Sequence, residues 1–283
     1  MPRPFDRIFK VGDAMNKTQG LRLIGFRKSI PRTLFLAIAV ASICTLTATW
    51  WLVSTLGFFP AVFFPSPQRV FYAAVRMFAS EGFAWDVFMS VLRVLTAFAV
   101  AALVAIPLAL VMSSFKPFEA FVEPIIDFVR YVPVPSLLPL IVLWSGIGET
   151  SKFIVLFVGT FFQLVLLVKD DADNVPPILF DLARTMGASS RHLIRDVLVP
   201  YLLPQIYDRL RVTLGWCWTY LVIAELIAVQ RGVGHAIKEA QRFNASDQLF
   251  VCFIVLGVIG LATDFIAKFF YHVLFPYAKK TRV

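Results

Sequence analysis

Charge is what this chain has least of. Only 16% of its 283 residues are charged, against about a quarter in an ordinary soluble domain. Cysteine is scarce too. Cys44, Cys217 and Cys252 all lie within apolar runs and form no C-x-x-C pair, which excludes a disulfide scaffold and leaves them as small packing residues. His192, His235 and His272 are too scattered to give a metal-ligand spacing. No G-x-x-x-x-G-K-[ST] phosphate cradle occurs, so the chain cannot hydrolyse ATP by that route alone. The 18 Asp and Glu are outnumbered by 27 Lys and Arg, yet no basic run carries interleaved stacking aromatics outside apolar segments. The excess therefore does not read as a nucleic-acid surface; membrane topology explains it better.

Apolar residues are abundant: 59% of the chain, with 29 Phe, 6 Trp and a mean hydropathy of +0.77. They cannot all hide in one water-soluble core of this length. An ordinary cytosolic enzyme, a disordered tail protein and a small secreted scaffold are excluded, and an all-α polytopic membrane protein remains.

A helical span needs roughly twenty predominantly apolar residues. The first candidate covers residues 33–57, after a basic segment, residues 1–32, with eight Lys and Arg. It is too long, and too bulky at Trp50 and Trp51, for a cleaved signal. Residues 21–30 mix Arg22, Arg27 and Lys28 with Leu21, Leu23, Ile24 and Phe26, a pattern that suits either an anionic lipid surface or a loosely ordered tail. Pro67 opens a short amphipathic helix. A core of five further spans, residues 84–276, follows: 85–112, 118–144, 152–168, 211–229 and 249–275. The run 118–144 contains Pro124, Pro133, Pro135 and Pro139, so it must bend or break, and its freed backbone should face protein or a cavity. With the N-terminus placed inside, the inner segments hold eighteen Lys and Arg and the outer ones six. That bias puts both ends, the tail 277–283 and the polar loop 169–207 on the cytoplasmic side of six spans.

The loop 169–207 is the largest polar segment between spans. Pro177 suits a first helical turn, and Ile178, Leu179, Leu182, Ala183 and Met186 follow at helix-like spacing. Gly187 suits a C-terminal stop. Ser189 or Ser190 then caps a second short helix, 191–199, ended by Pro200. The expectation is a helix–Gly–helix elbow whose exposed apolar and small residues seat in a groove of another protein.

Asp181-Leu182-Ala183, three residues, Gly187, nine residues, then Val197-Leu198-Val199-Pro200 resembles the signature loop of binding-protein-dependent ABC importer permeases. That pattern reads Glu-Ala-Ala, three residues, Gly, nine residues, Ile-x-Leu-Pro. Asp181 stands for Glu, Leu182 for the first Ala, and Val197 and Val199 for Ile and Leu. Arg93-Val94-Leu95, the run Val132 to Leu140, Trp144-Ser145-Gly146-Ile147-Gly148, Gly187-Ala188-Ser189 and Ala224-Glu225 extend the resemblance over residues 90–275, toward the nitrate, sulfonate, taurine and bicarbonate branch. It implies a type I importer permease of six transmembrane helices in a bacterial inner membrane, with a cytoplasmic coupling helix. Asp181, Leu182, Ala183, Met186, Gly187, Ala188 and Pro200 would meet a cytoplasmic ATPase subunit that holds ATP and Mg²⁺, while this chain holds no cofactor. A second permease subunit, in the simplest case another copy, and a periplasmic or lipid-anchored binding protein complete the expected assembly. The resemblance favours a small anionic cargo and leaves nitrate, bicarbonate, a sulfonate and a vitamin precursor open.

Charges within spans are expensive and mark pathways. Arg130 precedes the proline-broken run with Pro133 and Pro135, and it reads either as an oxyanion contact or as the partner of Asp127 or Glu123. Glu225 reads as a pathway group or as a latch through Arg231 or Arg130. Trp216 and Tyr220 share a helix face and read as channel wall or packing; Trp218 points elsewhere. Asp264 and Lys268 satisfy each other at i,i+4, and Arg93 snorkels to the interface. An ion-coupled carrier would have to use Glu225 or Asp264, the strong acids of the last two spans. A membrane-embedded enzyme finds no nucleophile–base pair to support it.

Overall fold

The computed structural model describes residues 30–227 and 231–277. The basic segment before Ile30 and the last six residues lie outside this range, and so do the readings placed on them. Every regular element among the described residues is helical. The chain divides after Phe58 into two units. The described part of the first is one helix, α1 (Arg32–Thr55), apolar on all sides, with Phe35, Leu36, Ile43 and Leu46 exposed, as a lipid-facing span requires.

The second unit contains α2 (Pro67–Ser80), α3 (Phe83–Ser114), α4 (Lys116–Arg130), α5 (Val134–Ser145), α6 (Glu149–Asp173), α7 (Pro177–Thr185) and α8 (Ser190–His192). A π-helical turn, Leu193–Leu198, leads into α9 (Val199–Ile227), followed by α10 (Val233–Arg242) and α11 (Ser246–Leu274). Among the described residues four helices, α1, α3, α6 and α11, are long and apolar enough to cross a membrane. The pair α4 and α5 makes a fifth crossing if the two count together, bent by 100° at their junction. Pro133 and Pro135 frame the break, as their missing amides demand. The expected fifth span, 211–229, falls on α9, a 29-residue helix that also carries Asp208, Arg209 and Arg211.

The core lies between α3, α6 and α9. Ala97, Ala101, Ala105 and Ala109 recur every four residues along α3, and each is fully buried. A stripe of methyl groups lets α6 approach closely, and Leu164, Val165 and Val168 fill the seam with Leu202 and Ile206 of α9.

Two elements depart from the sequence reading. Pro200 does not end a helix. The π-helical turn before it widens the hydrogen-bond pattern, so the helix passes a residue that cannot donate an amide, and α9 starts at Val199 rather than near Arg211. Residues 230–248 are not simply a polar loop, because α10 lies within them. Its buried face is short (Val233, Gly234, Ile237, Ala240), and its remaining surface is charged, which hid it among polar residues.

Candidate functional site

Three constellations stand out, one in the elbow, one at the bend between α4 and α5, and one at the end of the bundle opposite the elbow.

The elbow forms as its residues dictate. Helix α7 opens at Pro177 and closes with two reversed hydrogen bonds, Gly187 N to the Arg184 carbonyl at 2.9 Å and Ala188 N to the Ala183 carbonyl at 3.0 Å. This is a Schellman ending, and Gly187 adopts the left-handed φ of +84° that it requires. Leu179 and Phe180 pack inward against the core, with Ile194 beside them. Ile178, Asp181 and Leu182 recur at i, i+3 and i+4 on the opposite side. Ile178 is 68% exposed, Leu182 60% and Met186 81%. The Asp181 carboxylate, also exposed, reaches Arg184 at 3.4 Å and no other cation among the described residues. Ala183 and Ala188 are half-buried beneath this stripe. Ser189 takes the capping position of the second helix, but its hydroxyl contacts the His192 ring at 2.8 Å instead of a backbone amide. No atom lies within 4 Å of a Cβ built on Gly187, so Gly187→Ala suffers only from its backbone. We expect a cost of about 1 kcal/mol, read as a drop in thermal midpoint, with Gly187→Asn milder because Asn tolerates that conformation.

At the opposite end, Glu225 is fully buried. It accepts from the Ser90 hydroxyl at 2.7 Å, Arg93 Nη1 at 2.7 Å and the Gly234 amide at 2.7 Å. Arg93 also donates through Nη2 to Glu149 at 2.8 Å and through Nη1 to the Arg231 carbonyl at 2.9 Å. Lys152, 2% exposed, closes the cluster on Glu149 at 2.9 Å. The first amides of α10 are thereby capped from other helices: Gly232 by Asp86 at 2.9 Å, Val233 by Ser90 at 2.9 Å, and Gly234 by Glu225. The glycines are required by space, since a Cβ on Gly232 would lie 2.5 Å from Glu225 Oε1.

The snorkelling expected of Arg93 is therefore wrong. The guanidinium turns inward because Glu225, buried in the same layer, is worth far more to it paired than the interface is. Glu225 contacts Arg93, which in turn donates to the Arg231 carbonyl, rather than the side chain of Arg231 or Arg130 through which the latch reading placed it. Glu149 and Lys152 escaped the sequence reading. A buried acid in a span demands a cation, but nothing in the sequence says which one.

Near the bend, Arg130 pairs with Asp127 at 3.1 Å, one of its two expected partners, and Nη2 reaches the Tyr131 hydroxyl at 3.1 Å. Arg130, Pro133 and Tyr220 share a cavity of about 100 Å³ with Gly159 and Gln163. Pro135, Trp216 and Glu225 do not line it. Pro135 and Trp216 are exposed, and Trp218 is buried between α3 and α6. Asp264 and Lys268 meet at 2.6 Å as expected, and Arg211 of α9 joins them at 2.9 Å.

Residues 101–280 match the sequence profile of the binding-protein-dependent transport system inner membrane component. The chain belongs to this family.

The permease is 31% identical over 232 residues to the taurine transport system permease protein TauC of Escherichia coli (strain K12), covering 80% of this chain and 84% of the relative. It is 27% identical over 252 residues to the putative aliphatic sulfonates transport permease protein SsuC of Bacillus subtilis (strain 168), covering 89% and 88%. In fold it is similar to the MetNI methionine ABC transporter in inward-facing conformations, with a TM-score of 0.62 at 17% identity over 70% of this chain and 97% of that one. An amino acid ABC transporter aligns with a TM-score of 0.51 at 19% identity, over 68% and 92%. The expected type I importer architecture is thus present, in a multi-pass inner-membrane transport subunit. The stretches Arg93-Val94-Leu95 and Ala224-Glu225, far apart in sequence, meet in one ionic cluster through Arg93 and Glu225.

Proposed function

We propose that the permease carries a small anionic solute, of the sulfonate, nitrate or bicarbonate kind, from an external binding protein to the cytoplasm. ATP, with Mg²⁺, would be bound and hydrolysed by separate ATPase subunits. The observation that carries this reading is the outward stripe Ile178, Asp181, Leu182 and Met186 on a rigidly capped elbow, an apolar surface that a soluble partner would cover. With both termini and the elbow on the cytoplasmic side, closure of an ATPase pair would move the elbows of two permease copies and open the bundle outward. Hydrolysis would reset it. The anionic class draws its support from the taurine and sulfonate named for the relatives.

An ion-coupled carrier fits less well, because both acids it would need are already engaged, Glu225 by Arg93 and Asp264 by Lys268 and Arg211. The test is uptake by vesicles holding the permease with the ATPase that co-purifies with it, supplied with its binding protein. Taurine, methanesulfonate, nitrate and bicarbonate are offered in turn. Accumulation of at least one that requires internal ATP is expected. Uptake driven by a proton or sodium gradient without ATP overturns the reading.

A further inference from the structure

A glutamine in the middle of an apolar span needs a reason. Gln163 lies fourteen residues after Glu149 in the 25-residue α6, within Thr-Phe-Phe-Gln-Leu-Val, so roughly 20 Å of helix precedes it at 1.5 Å per residue. A primary amide at that depth is costly unless it is hydrogen-bonded. Gln163 nonetheless has no side-chain partner among the described residues, and the hydroxyl of Tyr220 likewise has none. Both line the cavity at the bend, beside Arg130.

The guanidinium is only partly engaged. Nε contacts Asp127, Nη2 contacts the Tyr131 hydroxyl and the guanidinium carbon lies 4.7 Å from the centre of the Tyr131 ring, which leaves Nη1 and one hydrogen on Nη2 without a hydrogen-bond partner among the described residues. Helix α5 begins at this break, so the partial positive charge of its N-terminus falls on the same spot. Gly159 lets the Tyr220 ring pack against α6 at the edge of the cavity. The ring lies against Gly159 so closely that a Cβ there would come within 2.6 Å of it. The cavity, about 100 Å³, holds the volume of roughly three waters. That suits an –XO3 group such as nitrate, bicarbonate or the head of a sulfonate, and excludes a bulky aromatic.

We propose that Arg130, Gln163 and Tyr220 form a transient oxyanion station within the membrane, each offering N–H or O–H donors to the oxygens of the cargo. The inference rests on the anion-permease reading and deepens it.

The test uses the full complex in vesicles with taurine, nitrate and bicarbonate as probes. Arg130→Gln and Gln163→Leu are each expected to lower the maximal uptake rate at least ten-fold, Tyr220→Phe about three- to ten-fold, and Arg130→Lys less than Arg130→Gln. Co-purification of the ATPase and the thermal midpoint of each variant establish that the complex has assembled. Asp127→Asn separates a cargo site from a structural ion pair. If Arg130 serves cargo, uptake by Asp127→Asn stays within about two-fold of wild type. If Arg130 serves only Asp127, this variant falls as far as Arg130→Gln, and the station is overturned. Unchanged uptake in Arg130→Gln and Gln163→Leu overturns it as well. In both cases the wild type still imports anions, so the functional reading stands. A wild-type complex that imports none of the three removes that reading, and the station with it.

Discussion

Arg93→Ala is expected to destabilise the permease by about 3–5 kcal/mol, enough to remove most folded protein from a detergent extract. The cost comes from what stays behind. Glu225 is fully buried, and without the guanidinium it keeps only Ser90 and the Gly234 amide as partners. Breaking a buried pair on one side strands an uncompensated charge, and that carries the quoted penalty. Glu149 is the internal control. It contacts the same guanidinium, but its side chain is 58% exposed; because Glu149→Ala alone would strand the buried Lys152, the control is Glu149→Ala with Lys152→Met, which leaves no charge unpaired and should cost no more than about 1 kcal/mol. Replacing both Arg93 and Glu225 by Met should hurt less than the two single changes added together, because neither charge is then left alone. Thermal unfolding midpoints in one detergent decide the ranking. Equal losses for Arg93→Ala and for the Glu149→Ala, Lys152→Met pair would show that Arg93 and Glu225 are not a buried latch.

The second large effect lies at the other end. The double substitution Leu182→Asp with Met186→Asp should abolish co-purification of the ATPase and leave the permease itself as stable as wild type. Both side chains are exposed in the chain alone, 60% and 81%, so folding gains little from them. In a docked complex each would be worth about 1.5–3 kcal/mol of apolar burial, and a buried carboxylate without a partner adds a further cost. Together they amount to a loss in affinity of at least about a hundred-fold. An ATPase recovered at wild-type stoichiometry with this variant would mean that the elbow is not the docking surface. A permease that failed to fold would show that the stripe packs against this chain after all.

These two ends were not equally legible in the sequence. Everything in the elbow is local: a proline for the first turn, an apolar repeat for a helix face, a glycine for the one left-handed residue. Signals of that kind survive in a one-dimensional string, because each residue acts on neighbours three to five positions away. Even there Pro200 misled, since a π-helical turn lets a helix run on where proline would ordinarily stop it. Arg130 with Asp127 could be read for the same reason, three positions apart on one turn. The cavity beside them could not, because Gln163 and Tyr220 come from two other helices.

The sequence by itself determined that the chain is a bundle of apolar helices, that one crossing had to break at its prolines, and that a capped bend interrupts the polar stretch after α6. Composition and short-range hydrogen bonding suffice for each of these. Only the tertiary structure decided the partners of the buried charges. Arg93, Glu149 and Glu225 lie 56 and 76 positions apart along the chain, and a charge placed in a low-dielectric interior states its need for a counter-charge without naming it. Which one it finds depends on how the alanine face of α3 seats α6 and α9, and on the Gly232 turn that carries α10 back to Glu225.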